Sequence, residues 1–239
     1  PISIQPSEFS KVIMIIALAT LLESRIGHLS KWREVIPVAL FVLVPFLLVA
    51  KQPDLGTGLV FLAIFLGMIF VAGISLKILG IVFGAFLAML PIIWQFLHDY
   101  QKMRIMVFID PNVDPLGSGY HIIQSKIAIG SGMLFGKGLF GGTQSQLNFL
   151  PENHTDFIFS VIGEEFGFVG CIVVLLLLFM LIYRSIQVAY TCNDNFGMLL
   201  ATGIATMFTF EVLVNVGMTI GIMPVTGIPL PFLSYGVSA

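Results

Sequence analysis

PENHTDFIFSVIGEEFGFVGCIVVLLLLFMLIYR, residues 151–184, puts titratable chemistry at the mouth of a stretch built for hydrocarbon. Glu152, His154 and Asp156 stand just ahead of the apolar run, and Glu164 and Glu165 follow about two helical turns later. From Cys171 the sequence is apolar to Tyr183, and a helix needs roughly 20 such residues to cross a bilayer. A membrane-spanning helix over 157–183 is the reading from which the rest follows.

The whole chain supports it. Of 239 residues, 57% are hydrophobic and 10% charged, whereas soluble domains carry about 25% charged residues. The net charge of −2 gives no electrostatic footprint for nucleic acid. The two cysteines fall in an apolar run (Cys171) and in a polar linker (Cys192), which suggests neither a disulfide framework nor a metal-ligand spacing. The opening at Pro1, in a polar turn with no initiator Met, predicts the C-terminal part of a longer protein.

Further apolar runs place spans near 8–24, 35–50, 55–74, 76–97 and 196–218, with a seventh expected to begin around Tyr235. Pro37 suits the first turn of the second span. No span alternates with period two, so the fold class is an all-α polytopic bundle rather than a β-barrel. Arg25, Lys31 and Arg33 crowd the linker 25–34, and Lys77 and Arg184 fall on the same side. Positive-inside reasoning places that side in the cytoplasm. The opposite face then receives 51–58, the long segment 98–156 and residues 222–236. The long segment is poor in charge, and HIIQSKIAIGSGMLFGKGLFGG within it predicts an interfacial or re-entrant helix followed by glycine-permitted turns over the bilayer surface.

Polar groups inside spans cost free energy and ask for a reason. Glu8 and Lys11, three apart, share a helical face and can pair, either lining a cavity or capping the helix at the interface. Asp54 in KQPDLGTG (51–58) is placed to cap the helix that starts at Leu55, and Lys51 to meet anionic headgroups. Glu211 and Asn215, four apart, fit the bonding of one helix to another. MPVTGIPLPFLSYG (223–236) carries three prolines and two glycines and is expected to be stiff and non-helical, a wall for a cleft or a tight connection. For HTD (154–156) three readings stand side by side. Thr155 or Asp156 caps a helix, the group binds a metal, or a carboxylate works at the water–lipid boundary. The metal reading is poorly served, because His28, His98, His121 and His154 are scattered with no H-x-x-x-H spacing.

Four motifs in order, QPSEFSK, KQPDLGTG, NFLPENHTDFIFSVIGEEFG and PVTGIPLPFLSYG, resemble the SEDS family (shape, elongation, division and sporulation), most closely its RodA branch. The resemblance covers essentially all of residues 1–239. It implies one membrane-embedded domain corresponding to spans four through nine of ten, with 98–156 as its long extracytoplasmic loop. It also implies polymerisation of lipid II into peptidoglycan glycan strands during elongation and shape maintenance, in the bacterial inner membrane with the active site on the extracytoplasmic face. The implied partners are a class B penicillin-binding protein and other proteins of the elongation machinery. The family's essential aspartate falls on Asp156, and its conserved Glu and Lys fall on Glu8 and Lys11. Where the family ends SYGGS, this chain has SYGVS, with Val237 replacing a glycine. Glu211 matches no family signature.

The chemistry this implies suits the inventory. A sugar 4-hydroxyl is a poor nucleophile, and a positioned carboxylate that removes its proton contributes about 10²–10⁴-fold. The leaving lipid diphosphate is already a stable anion and needs cations rather than an acid. Asp156 is assigned the base. Lys51, Arg104, Lys126 and Lys137 are the cations available for the diphosphate, with Mg2+ or Mn2+ as a candidate cofactor. Glu152 and His154 are placed to orient Asp156 or the acceptor sugar, and Glu8, Lys11 and Asp54 to line the cavity. The rival from another class is a transporter that flips lipid II without chemistry.

Overall fold

The computed structural model describes residues 6–52, 54–115, 117–147, 149–150 and 154–235. Glu152, Val237 and the body of the expected seventh span lie outside the described residues. Helices occupy all six other expected spans. They are α1 (Pro6–Glu23), α2 (Trp32–Lys51), α3 (Leu55–Val71), α4 (Leu76–Phe96), then after three shorter helices α8 (Ile158–Thr191) and α9 (Asn195–Ile220). The long segment is not one loop. It holds α5 (Asp99–Ile109), a 3-10 turn (Pro111–Val113), α6 (Ser118–Ser131) and α7 (Thr143–Gln146). Among the described residues there is no strand, and α2, α8 and α9 are each long and apolar enough to cross a membrane. The chain is an all-α polytopic membrane protein.

Local chemistry explains the boundaries. Pro6 opens α1, where its missing N–H would have had no partner. Asp54 caps α3: its Oδ1 accepts from Thr57 N–H at 3.1 Å and its Oδ2 from the Thr57 hydroxyl at 2.8 Å. The expectation for Pro37 is corrected. α2 begins at Trp32, three residues before the apolar run, so Pro37 and Pro45 are both inside the helix. The early start arises because the polar residues of its first turn fold onto the same helix as the apolar ones.

Of the described residues, those in 6–96 together with 181–210 form one compact unit, and those in 97–180 together with 211–235 form a second. In the first, α1, α2 and α3 pack against one another through Leu18, Leu22, Val38, Val42, Phe61 and Ile64, all buried. α4 exposes apolar side chains along nearly its whole length, as a helix solvated by lipid does.

In the second unit, α6, α8 and α9 meet at buried Ser125. Its hydroxyl lies 2.6 Å from the Ser160 hydroxyl and donates to the Thr219 carbonyl at 2.6 Å. Phe159, Cys171, Leu178 and Leu230 form the apolar cluster beside this contact. α8 breaks at Gly167, whose φ of 66° and ψ of −162° only glycine adopts readily. The chain after α6 repairs the break. Phe168 and Val169 N–H donate to the Met133 and Leu134 carbonyls at 2.9 and 3.1 Å. Lys137 and Gly138 N–H donate to the Glu164 and Glu165 carbonyls at 3.0 Å each. Gly136 sits so close that a Cβ there would overlap the Glu165 carbonyl.

Candidate active site

The turn His154–Phe157 precedes α8 and carries Asp156. The Phe157 carbonyl receives the first helical N–H groups, from Ser160 at 2.9 Å and Val161 at 3.4 Å, which makes Phe157 the cap position and leaves Asp156 one residue outside. Three consecutive carbonyls of this turn are instead gripped from α9 and the segment after it. Tyr235 N–H donates to the His154 carbonyl at 2.7 Å, the Ser234 hydroxyl to the Thr155 carbonyl at 2.7 Å, and the Asn215 amide to the Asp156 carbonyl at 2.9 Å.

Both side chains in that grip do a second job. Asn215, wholly buried, also donates to the Ile228 carbonyl at 2.8 Å. The Ser234 oxygen also accepts the Leu230 N–H at 2.7 Å. The proline-rich segment is thus non-helical, as expected; its Ser234 and Tyr235 bond directly to the turn that holds Asp156, and Ile228 is linked to that turn through Asn215. The Asp156 side chain is half-buried, with Oδ2 beside Gly227. A Cβ at Gly227 would stand 3.5 Å from that oxygen, in ordinary van der Waals contact with the carboxylate.

Lys126 borders the same segment at its other end. Its Cε and Nζ pass over Gly221, where a Cβ would overlap them. The segment 221–227 therefore has a carboxylate at one end and an ammonium at the other. Between them the Thr226 hydroxyl is buried with no hydrogen-bond partner among the described residues, and Asn215 Oδ1 is the same. Such orphaned acceptors are few in folded proteins.

The remaining expected residues take other positions. His154 is exposed and contributes its carbonyl to the grip. Arg104 stacks on Tyr100, 5.9 Å from the ring centroid. Lys137 is engaged by buried Glu164 at 2.8 Å and donates to the Thr143 hydroxyl at 2.9 Å. Glu164 also accepts from Gln144 N–H at 2.9 Å and Ser145 N–H at 3.1 Å. In the first unit, Glu8 and Lys11 pair at 2.6 Å with Lys11 buried, Lys51 is the last residue of α2, and Asp54 caps α3. Among the described residues no group of three or more His, Cys, Asp or Glu is arranged to hold a metal ion.

Sequence reasoning missed the roles of Ser234, Ser125 and Glu164. Glu164 carried a signal, since a carboxylate at the start of an apolar helix needs a partner. That partner, 27 residues upstream, has no local spacing that would reveal it.

A model of the FtsW/RodA/SpoVE family, described as "Cell cycle protein", matches residues 1–239. The peptidoglycan glycosyltransferase MrdB of Escherichia coli (strain K12) is 47% identical over 236 residues, covering 98% of this chain and 64% of that protein. Stage V sporulation protein E of Bacillus subtilis (strain 168) is 43% identical over 239 residues, covering 99% and 64%. A chain from the structure "Structural coordination of polymerization and crosslinking by a peptidoglycan synthase complex" superimposes with a TM-score of 0.77 at 38% identity, over 99% of this chain and 65% of that one. The crystal structure of the Thermus thermophilus rod shape determining protein RodA gives 0.63 at 33% identity, over 98% and 60%. This chain thus spans about 64% of the length of these curated relatives.

Proposed function

The chain belongs to the FtsW/RodA/SpoVE family of cell cycle proteins, and on that premise we propose that it works within a peptidoglycan glycosyltransferase that polymerises lipid II. Asp156 is the general base in this reading. The acceptor sugar 4-hydroxyl attacks the anomeric carbon of the donor, its proton passes to the Asp156 carboxylate, and the bond to phosphate breaks with its electron pair leaving on undecaprenyl diphosphate. The base makes the poor nucleophile competent, a contribution of about 10²–10⁴-fold. The departing diphosphate needs positive charge, and Lys126 is the cation that shares the 221–227 segment with Asp156.

The observation that carries this reading is the grip on three consecutive carbonyls of the His154–Asp156 turn. A base is useful only when its carboxylate keeps its place as the sugar arrives, and a backbone tied at each residue favours that. The lysine at the other end of the 221–227 segment supports it further. The reaction takes place on the extracytoplasmic face of the bacterial inner membrane, beside a class B penicillin-binding protein that crosslinks the strand. Glu8, Lys11, Lys51, Asp54, Arg104, Lys137, Glu152 and His154 are proposed as supporting or substrate-lining groups, within one membrane-embedded domain.

The test uses the full-length protein reconstituted with its partner and supplied with lipid II. Asp156→Asn and Asp156→Ala are expected to abolish strand synthesis while the protein stays folded by thermal unfolding. Wild-type polymer from either folded variant would remove the base assignment. Scoring lipid II exposure separately from strand length distinguishes the enzyme from a transporter of the same lipid.

A further inference from the structure

The stretch Met133–Phe140, between α6 and α7, turns its apolar side chains outward. Met133 is 79% exposed, Phe135 80%, Leu139 62% and Phe140 73%. On a water-facing surface this would be a large unsupported apolar patch. The only charge in residues 132–142 is Lys137, and its ammonium is turned onto Glu164.

The depth of this stretch is fixed by what it is bonded to. Between Glu165 and Arg184 the sequence has eighteen residues without a charge. A hydrocarbon core about 30 Å thick takes roughly 20 residues of helix, so a run of this length, Phe168 and Val169 included, fits within it. Phe168 and Val169 N–H bond directly to the Met133 and Leu134 carbonyls, so the start of the loop lies at their depth, while Lys137 and Gly138 N–H bond to the Glu164 and Glu165 carbonyls at the charged end of the helix. The apolar face continues without interruption, since Phe168, Val169, Val173 and Leu176 of α8 are exposed too.

Non-helical backbone survives at hydrocarbon depth only when its polar groups are paired within the protein. The four bonds to α8 and the Gly136 N–H to Gly132 carbonyl bond at 2.7 Å pair part of this backbone within the protein, the Met133 and Leu134 carbonyls included. We propose that residues 133–140 form a re-entrant loop whose apolar side chains contact lipid acyl chains, in the leaflet on the same side as the His154–Asp156 turn. The loop fills the gap opened by the helix break at Gly167 and presents a hydrocarbon-facing surface a few residues from that turn. The loop goes into the bilayer, and Lys137 is pulled back to the boundary by Glu164.

The experiment places single nitroxide labels in the full-length protein, with native cysteines replaced, reconstituted in vesicles of phosphatidylethanolamine and phosphatidylglycerol. Labels go to Phe135→Cys and Leu139→Cys, both outward-facing, so the loop's bonds to α8 are left intact. Leu177→Cys serves as the hydrocarbon reference and Asn112→Cys as the aqueous one. Collision rates are read with oxygen and with a water-soluble nickel chelate. The expected result is that positions 135 and 139 match position 177, with oxygen collisions retained and chelate collisions lost. Chelate collisions at the level of position 112 would overturn the proposal in favour of a water-facing loop. Loss of collisions with both reagents would overturn it in favour of a protein cover.

Discussion

Asn215 is wholly buried in an apolar helix, and its amide spends both N–H groups on backbone carbonyls, those of Asp156 and Ile228. Truncation by Asn215→Ala leaves two carbonyls short of a donor, a loss of about 1–3 kcal/mol. The same change frees the residue that carries the proposed base, and a displacement of about 1 Å at a reacting group lowers rates by about 10²-fold. The expected outcome is a modest drop in unfolding temperature together with a roughly 10- to 100-fold fall in strand synthesis. Lipid II binding should be nearly unchanged. Asn215→Asp is expected to be less stable than Asn215→Ala, because an ionised carboxylate gives no N–H and faces two carbonyl oxygens. Thermal unfolding and polymer assays on the two variants read both effects. The polar residue itself was legible in the sequence as a group needing partners inside a span. Its targets were not, because the Asp156 carbonyl lies 59 positions upstream and a backbone acceptor leaves no mark in side-chain chemistry.

At the level of elements, the spans were legible because bilayer thickness sets a length, and length is written directly in hydropathy. The break in α8 was not. In GEEFGFVG a glycine reads as a tolerated helical residue, and nothing local says that residues 133–138 will supply the missing partners. Gly167→Ala forces a side chain into a backbone region used almost only by glycine, at about 1–3 kcal/mol. Its Cβ would also overlap Gly136 N and the Leu134 carbonyl group. The expected result is a lowered unfolding temperature and faster hydrogen exchange at Phe168 and Val169. Glu164 is the second support of this region. Glu164→Gln keeps the shape but removes the charge that faces Lys137 and two backbone N–H groups. Bonds to charged groups contribute about 1.5–3 kcal/mol, and this variant is expected to lose a large part of that. Limited proteolysis should then cut within 137–146 faster than in wild type. Unchanged proteolysis would mean that the backbone bonds to α8 hold the loop without the ion pair.

At the level of the whole molecule, sidedness decides whether Asp156 faces the compartment where glycan strands are built. The proposed function places the linker 25–34 in the cytoplasm, which its basic residues favour. In the proposed reading α2, α3 and α4 each cross, and three crossings would carry the segment from residue 98 onward to the opposite face. Lys102, Arg104, Lys126 and Lys137 weaken the charge count when it is taken over the whole chain. The structure gives physical reasons to discount two of them: Arg104 stacks on Tyr100, and Lys137 is neutralised by Glu164. Charges already paired with protein groups, set in a folded segment of this length, exert little pull on orientation. Ser30 and Asn112 are both exposed and lie in the two segments in question. In the full-length protein, a single cysteine at Asn112 is expected to react with a membrane-impermeant maleimide added to intact spheroplasts. One at Ser30 should react only after the membrane is opened. The reverse pattern would put the His154–Asp156 turn in the cytoplasm, away from any exported acceptor strand, and the polymerase reading would fall with it.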